Sequence, residues 1–127
     1  MNRLEPFKSH ENLADEVNKA IVDSEIDGGV SLSNVAVGRG LFIYFRSGYY
    51  AVKREEEGFY ISSHPFRGED PHCPSAPTRC KITGSLFARE GSMLKMFWVG
   101  RGMHLEFHLN DGPRLVSSTP ILEITEY

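Results

Sequence analysis

Beyond residue 30 the hydrophobic pattern of this chain repeats every second residue, and a glycine-bearing turn interrupts it about every ten residues. Leu41, Ile43 and Phe45 alternate with Phe42, Tyr44 and Arg46, and Met103, Leu105 and Phe107 alternate with His104, Glu106 and His108. A period of two belongs to an extended strand with one face toward an apolar interior, so a helical bundle is excluded for most of the chain. Glycines at Gly38-Arg39-Gly40, Ser47-Gly48, Glu57-Gly58, Glu90-Gly91, Gly100-Arg101-Gly102 and Asp111-Gly112 punctuate the runs as hairpin turns do. Strands are therefore expected over 30–37, 41–46, 49–54, 59–63, 80–88, 93–99, 103–109 and 121–126, with a weaker one over 114–117.

One stretch near the N-terminus keeps the helical period. From Asn12 to Ile26, Leu13, Val17, Ala20, Ile21 and Ser24 recur at three-and-four spacing, with Asp15 and Lys19 an i,i+4 pair on the flank. Ser9 or Asn12 can cap the start, and Gly28 and Gly29 end it. Four prolines, Pro65, Pro71, Pro74 and Pro77, make residues 64–79 a long loop. The expected fold class is α+β, predominantly antiparallel β, in a single domain over 1–127. An arm and helix (1–29) precede a first meander (30–63), the proline-rich loop (64–79) and a second meander (80–127). About eight strands in two meanders are expected to form a small barrel or a sandwich, with the helix over an open end or face. Val37-Gly38-Arg39-Gly40 recurs as Val99-Gly100-Arg101-Gly102 in the same apolar phase, which raises an internal duplication.

Composition narrows the function classes. With 127 residues, 24% of them charged, the chain is long enough for one core, and no apolar run approaches the ~18 residues a spanning helix needs. Arg3, Glu5 and Lys8 stand where a secretory leader would be apolar, so a soluble cytoplasmic protein with no membrane partner is expected. Residues 1–29 carry seven acidic against three basic residues, and the whole chain has a formal charge of −3 with no basic block. A duplex DNA binder needs a positive stripe to displace counterions, so that class is set aside. Cys73 and Cys80 are expected as inert or loosely paired thiols.

Two constellations could carry chemistry, and a third, a nucleophilic set, would do so if it were present. The first is aromatic and cationic: Phe42, Tyr44, Phe45, Tyr49, Tyr50, Phe59, Tyr60 and Phe66 crowd one stretch among Arg46, Lys53, Arg54 and Arg67. Half of these rings must fill the core, and Phe42, Tyr44, Tyr50, Tyr60 and Arg46 are the expected ligand or interface surface. Arg39 and Arg101, if their turns lie at one end, would add paired guanidinium forks for a carboxylate or phosphate. The second is a donor set: His104, Glu106 and His108 share one strand face, with the imidazoles about 13 Å apart. One of these histidines with Glu106 and a loop ligand from His64, His72 or Cys73 could hold zinc or another divalent transition metal, which would activate water for hydrolysis. The same residues also read as an ordinary polar outer face. The third is absent: no serine sits in a nucleophile elbow, and Cys73 has no activating context. The leading expectation is a non-catalytic binding or protein-interaction module without a cofactor, presenting an aromatic-cationic surface or a barrel pocket to a small molecule or protein and forming a homodimer. A metal-binding protein or metal-dependent hydrolase, and a single-stranded nucleic-acid binder, are the alternatives.

Overall fold

The computed structural model describes residues 28–87 and 93–127. Ten antiparallel strands run in chain order: β1 (Gly29–Ser31), β2 (Gly40–Phe45), β3 (Gly48–Glu55), β4 (Gly58–Pro65), β5 (Thr78–Leu86), β6 (Leu94–Met96), β7 (Trp98–Gly100), β8 (His104–Leu109), β9 (Arg114–Val116) and β10 (Glu123–Glu126). Eight of them form one sheet in the order β10-β2-β3-β4-β5-β8-β9, with β6 paired to β5 off that path; β1 and β7 form a small second sheet. No α-helix occurs among the described residues, and the expected helix over 12–26 lies outside them.

The strand phase read from the sequence sets the inside. Leu41, Ile43, Val52, Ile61 and Leu105 are fully buried, and Phe45, Ile82 and Phe107 nearly so. The sheet curls around these side chains: Tyr50 on β3 and Phe107 on β8 meet edge to face with centroids 5.8 Å apart. In a flat sheet the three intervening strand spacings would hold them about 14 Å apart.

Neither a closed barrel nor a sandwich results, which corrects the expected architecture. The two meanders are joined edge to edge, because Phe59, Tyr60 and Ile61 of β4 pair in register with Cys80, Arg79 and Thr78 of β5. That pairing consumes the edges two stacked sheets would have kept. β9 and β10 remain as the ends of the ladder, and the chain between them crosses the gap by main-chain bonds. Ser117 donates to the Leu105 carbonyl (2.9 Å), Ile121 to Met103 (2.8 Å) and Leu122 to Tyr44 (2.8 Å).

Two expected strands are cut short, each for a local reason. The run over 30–37 is strand only through Ser31; Leu32–Asn34 form a 3-10 turn. Leu32 and Val35 are both 2% exposed, and a separation of three puts them on one side in a turn but on opposite sides of a strand. The run over 93–99 breaks at Phe97, whose φ of 56° turns the chain from the large sheet into the small one. The Gly-Arg-Gly repeat is not a conformational repeat. Its first copy takes positive φ at Gly38 and its second at Gly102, the non-equivalent glycine, and Val37 is half exposed where Val99 is buried. The inward phase common to β2 and β8 is what any two core strands of a curled sheet share.

Candidate functional site

The outer face of β10, β2, β3 and β4 carries a strip of aromatic rings. Residues paired in register across antiparallel strands share a face. One row therefore runs Glu123, Tyr44, Tyr49, His64; the next runs Thr125, Phe42, Ala51, Ser62; a third runs Gly40, Lys53, Tyr60, Arg79. Tyr127 stacks on Phe42 with centroids 4.3 Å apart and planes at 21°, and Phe42 meets Tyr49 edge-on at 5.7 Å. Tyr44 lies 5.5 Å from Tyr49, and Tyr49 stacks on the His64 imidazole at 4.7 Å and 9°. His64 is fixed from behind by a hydrogen bond between its Nε2 and the Ser62 hydroxyl (3.0 Å). At the other end the Tyr127 hydroxyl donates to the Val52 carbonyl (3.3 Å), and its ring takes the space over Gly40. A Cβ at Gly40 would fall 2.3 Å from the Val52 oxygen and 2.6 Å from that ring, so glycine is a condition for the stack. Burial and the Glu55 charge push the Tyr127 hydroxyl above its ordinary range. Phe42, Tyr44, Tyr49, Tyr60 and His64 are all half-buried and Tyr127 is exposed, so each keeps part of its ring open to solvent.

Of the residues expected on this surface, Phe42, Tyr44 and Tyr60 are there, and Arg46 lies exposed in the turn between β2 and β3. Tyr50 is not: it faces the core at 9% exposure. The reason is parity. A two-residue turn pairs odd with even positions, so the inward Ile43 stands opposite Tyr50 and the outward Tyr44 opposite Tyr49. The same rule, applied to the Ser47-Gly48 signal, would have found Tyr49; the parts of His64 and Tyr127 needed tertiary pairing. The arginine forks do not converge. Arg101 binds Glu123 (Nε to Oε1, 3.0 Å) beside Tyr44, whereas Arg39 precedes Gly40, which pairs with Tyr127 about 13 Å away along β10.

Tyr50 lines instead a cleft of about 310 Å³ between the proline-rich loop, the β2–β3 turn and residues 115–118. Its hydroxyl donates to Asp70 Oδ2 (2.9 Å), and Asp70 Oδ1 accepts from the backbone amides of His72 (2.8 Å) and Cys73 (3.2 Å). Burial, then the bond to Asp70 and its charge, push the Tyr50 hydroxyl well above its usual range. Ser63 completes the tether, its hydroxyl donating to the Cys73 carbonyl (2.6 Å) and its amide to that of Pro74 (2.8 Å). The loop is thus pinned to the sheet, with the Cys73 side chain in the core. A shallower groove of about 550 Å³ runs past Phe59, Cys80, Ile82 and Phe97, with Arg79 and Lys81 on its rim.

The expected metal donors are not gathered. His104 and His108 both donate through Nδ1 to backbone carbonyls, of Ser117 (2.9 Å) and Gly112 (3.1 Å). Glu106, 7% exposed, accepts from the Thr83 hydroxyl and the Arg114 guanidinium. Burial tends to raise its carboxyl pKa, but the Thr83 and Arg114 bonds and the Arg114 and His108 charges outweigh it and hold it below the ordinary range. His64 belongs to the aromatic strip, His72 is exposed on the loop and Cys73 is 1% exposed. Among the described residues no three His, Cys, Asp or Glu side chains come together as a metal site. His104, Glu106 and His108 do share one strand face, each satisfied by its own neighbour.

No protein-family model, curated protein or solved structure matches this chain.

Proposed function

We propose that this protein is a non-catalytic interaction module whose outer aromatic strip receives a segment of a partner protein. One observation carries the reading: Tyr127, Phe42, Tyr44, Tyr49 and His64 make an unbroken chain of ring contacts across four strands, on the face turned away from the core. Mutually packed rings on strands lose little conformational freedom when a partner docks, and they offer large apolar area with polar edges. A contiguous patch of this kind marks an interface more often than scattered surface apolar residues do. A protein segment fits better than single-stranded nucleic acid. Lys53 lies 3.7 Å from the Glu55 carboxylate and the first row begins on the Glu123 carboxylate, so acidic groups stand where a phosphate backbone would have to run.

The test compares proteins captured from native extract by wild type and by Tyr44→Ala and Tyr49→Ala. The expected result is loss of the captured set in both variants, with melting held close to wild type because the truncated rings lie outside the core. Equal capture by all three would overturn the reading. The Tyr50 cleft favours a second, separate reading: a small polar ligand seated between Asp70 and Ser117. A ligand panel should then raise the melting temperature of wild type and less so of Tyr50→Phe.

A further inference from the structure

We propose that the groove beside Phe97 binds a single free L-α-amino acid with an apolar side chain, which completes the strand ladder opposite Ile82. The site stands apart from the aromatic strip, at a place where two strands on the same side of β5 both stop short. β4 pairs with β5 from Ile61 opposite Thr78 as far as Phe59 opposite Cys80, and β6 pairs with it from Leu94 opposite Leu86 as far as Met96 opposite Gly84. The Phe97 amide extends the second run by donating to the Thr83 carbonyl (2.8 Å). The gap between the two runs falls at Lys81 and Ile82.

Ladder parity fixes which of these two residues turns its main chain into the gap. The Asn110 amide donates to the Arg79 carbonyl (2.8 Å), so 79 and 110 form a hydrogen-bonded pair, whereas Cys80 with Leu109 and Ile82 with Phe107 form the alternate, non-bonded kind. The amides and carbonyls of Cys80 and Ile82 therefore point away from β8. Cys80 meets Phe59 there. Ile82 would meet Glu57, but the Glu57 carbonyl accepts from Arg79 Nη2 (2.7 Å), and among the described residues no hydrogen bond reaches the Ile82 main chain on this side. Ile82 is only 2% exposed, and it forms part of the wall of a groove of about 550 Å³. Buried main-chain groups without a partner are rare, which makes this pair the natural anchor for a ligand.

The gap suits one residue and no more. Gly58 and Phe97 close its two ends, and the step along β5 from Lys81 to Thr83 is about 7 Å, so a longer peptide would run into them. An amino acid set antiparallel to β5, as β4 and β6 are, gives its carboxylate to the Ile82 amide and its ammonium to the Ile82 carbonyl. Its carboxylate then lies on the side of Lys81 and its ammonium on the side of Phe97. Arg79 and Lys81 share the groove with Glu57 and Asp111, a balanced set that suits a zwitterion better than a simple anion. The pairing also sets handedness. Paired residues share a face, so an L side chain projects inward with Ile82 toward Phe59 and Cys80, and a D side chain would project outward. Phe97 stands at the edge with φ 56°, costly for an aromatic residue, and is held there by its own amide bond and by the Leu32 amide on its carbonyl (2.7 Å).

The experiment titrates the full chain, labelled with nitrogen-15, with L-leucine, L-methionine and L-phenylalanine, each beside its D-enantiomer, and with trileucine. At least one L-amino acid should shift the Ile82 amide resonance saturably, slow its hydrogen exchange and raise the melting temperature, and its D-enantiomer and trileucine should do none of these. Lys81→Gln should weaken that binding about threefold, the worth of one exposed ion pair, with the melting of the free protein unchanged. Phe97→Gly, which keeps the positive φ without strain and removes the ring, should weaken it further. An Ile82 amide that stays in place with all three L-amino acids would overturn the proposal, as would an equal response to the D-enantiomer. So would a response confined to residues 115–118, which would assign the ligand to the Tyr50 cleft. These titrations use the wild-type chain, so they decide the matter even if a variant fails to fold.

Discussion

Two side chains show how a single residue's surroundings decide its part. Tyr50 is an aromatic residue in a cation-rich stretch, yet its ring is core and its hydroxyl is a tether for the proline-rich loop. Replacing it with Phe keeps the packing and removes the bond to Asp70, an expected loss of about 1 kcal/mol in urea unfolding, the net worth of one hydrogen bond. A loss of several kcal/mol would mean that the hydroxyl holds more than the loop. Glu106 is the charged counterpart. Because Thr83, Arg114 and His108 hold its folded pKa below the unfolded value, it adds stability above the ordinary carboxyl range and loses it as pH falls through the folded pKa. Glu106→Gln should therefore be less stable than wild type at pH 7, with the difference closing in acid. A difference that widens on acidification would reverse the sign assigned to this carboxylate.

At the scale of elements, the chain's turns and breaks were partly legible. Alternation located β2, β3, β4, β5 and β8 to within a few residues, because a half-buried strand writes its period directly into the sequence. The end of the first expected strand and the split between β6 and β7 were not legible, since both depend on what packs against them. Gly29 shows the same limit. Read as a helix stop, it lies under the Trp98 indole, where an added Cβ would come within 2.0 Å of the ring. Gly84 is the most demanding of these positions. It sits at φ 149° where the β5–β8 register shifts, and an added Cβ would lie 2.0 Å from the Lys95 carbonyl oxygen of β6. Gly84→Ala should cost about 3 kcal/mol from backbone strain and the displacement of β6, with the amides of residues 94–96 losing hydrogen-exchange protection. Normal protection there would show that β6 does not depend on the close approach.

For the whole molecule, one interior joins the sheet, the loop and the chain that spans the sheet's open gap. Cys73 from the loop and Cys80 from β5 are both buried in it. Burial, with the Asp70 and Cys80 charges added at Cys73, pushes both thiols up to about 12. Neither is then a nucleophile near neutral pH, and a thiol reagent should label the native protein at least about a thousandfold more slowly than the urea-unfolded chain, at a rate that follows opening. Rapid labelling of either cysteine in the native state would mean that the loop detaches independently of the sheet. By itself, the amino-acid sequence determined the antiparallel character, the inward phase of the core strands and the rings available for an outer face. Those follow from local alternation, a property carried by neighbouring residues. Tertiary structure alone decided that two meanders would merge into one open curled sheet, that Tyr127 and His64 would complete the strip, and that the histidines at 104 and 108 would each bond a nearby carbonyl rather than converge. Each of these depends on pairing between residues far apart in the chain, and alternation carries no record of which distant strand lies alongside.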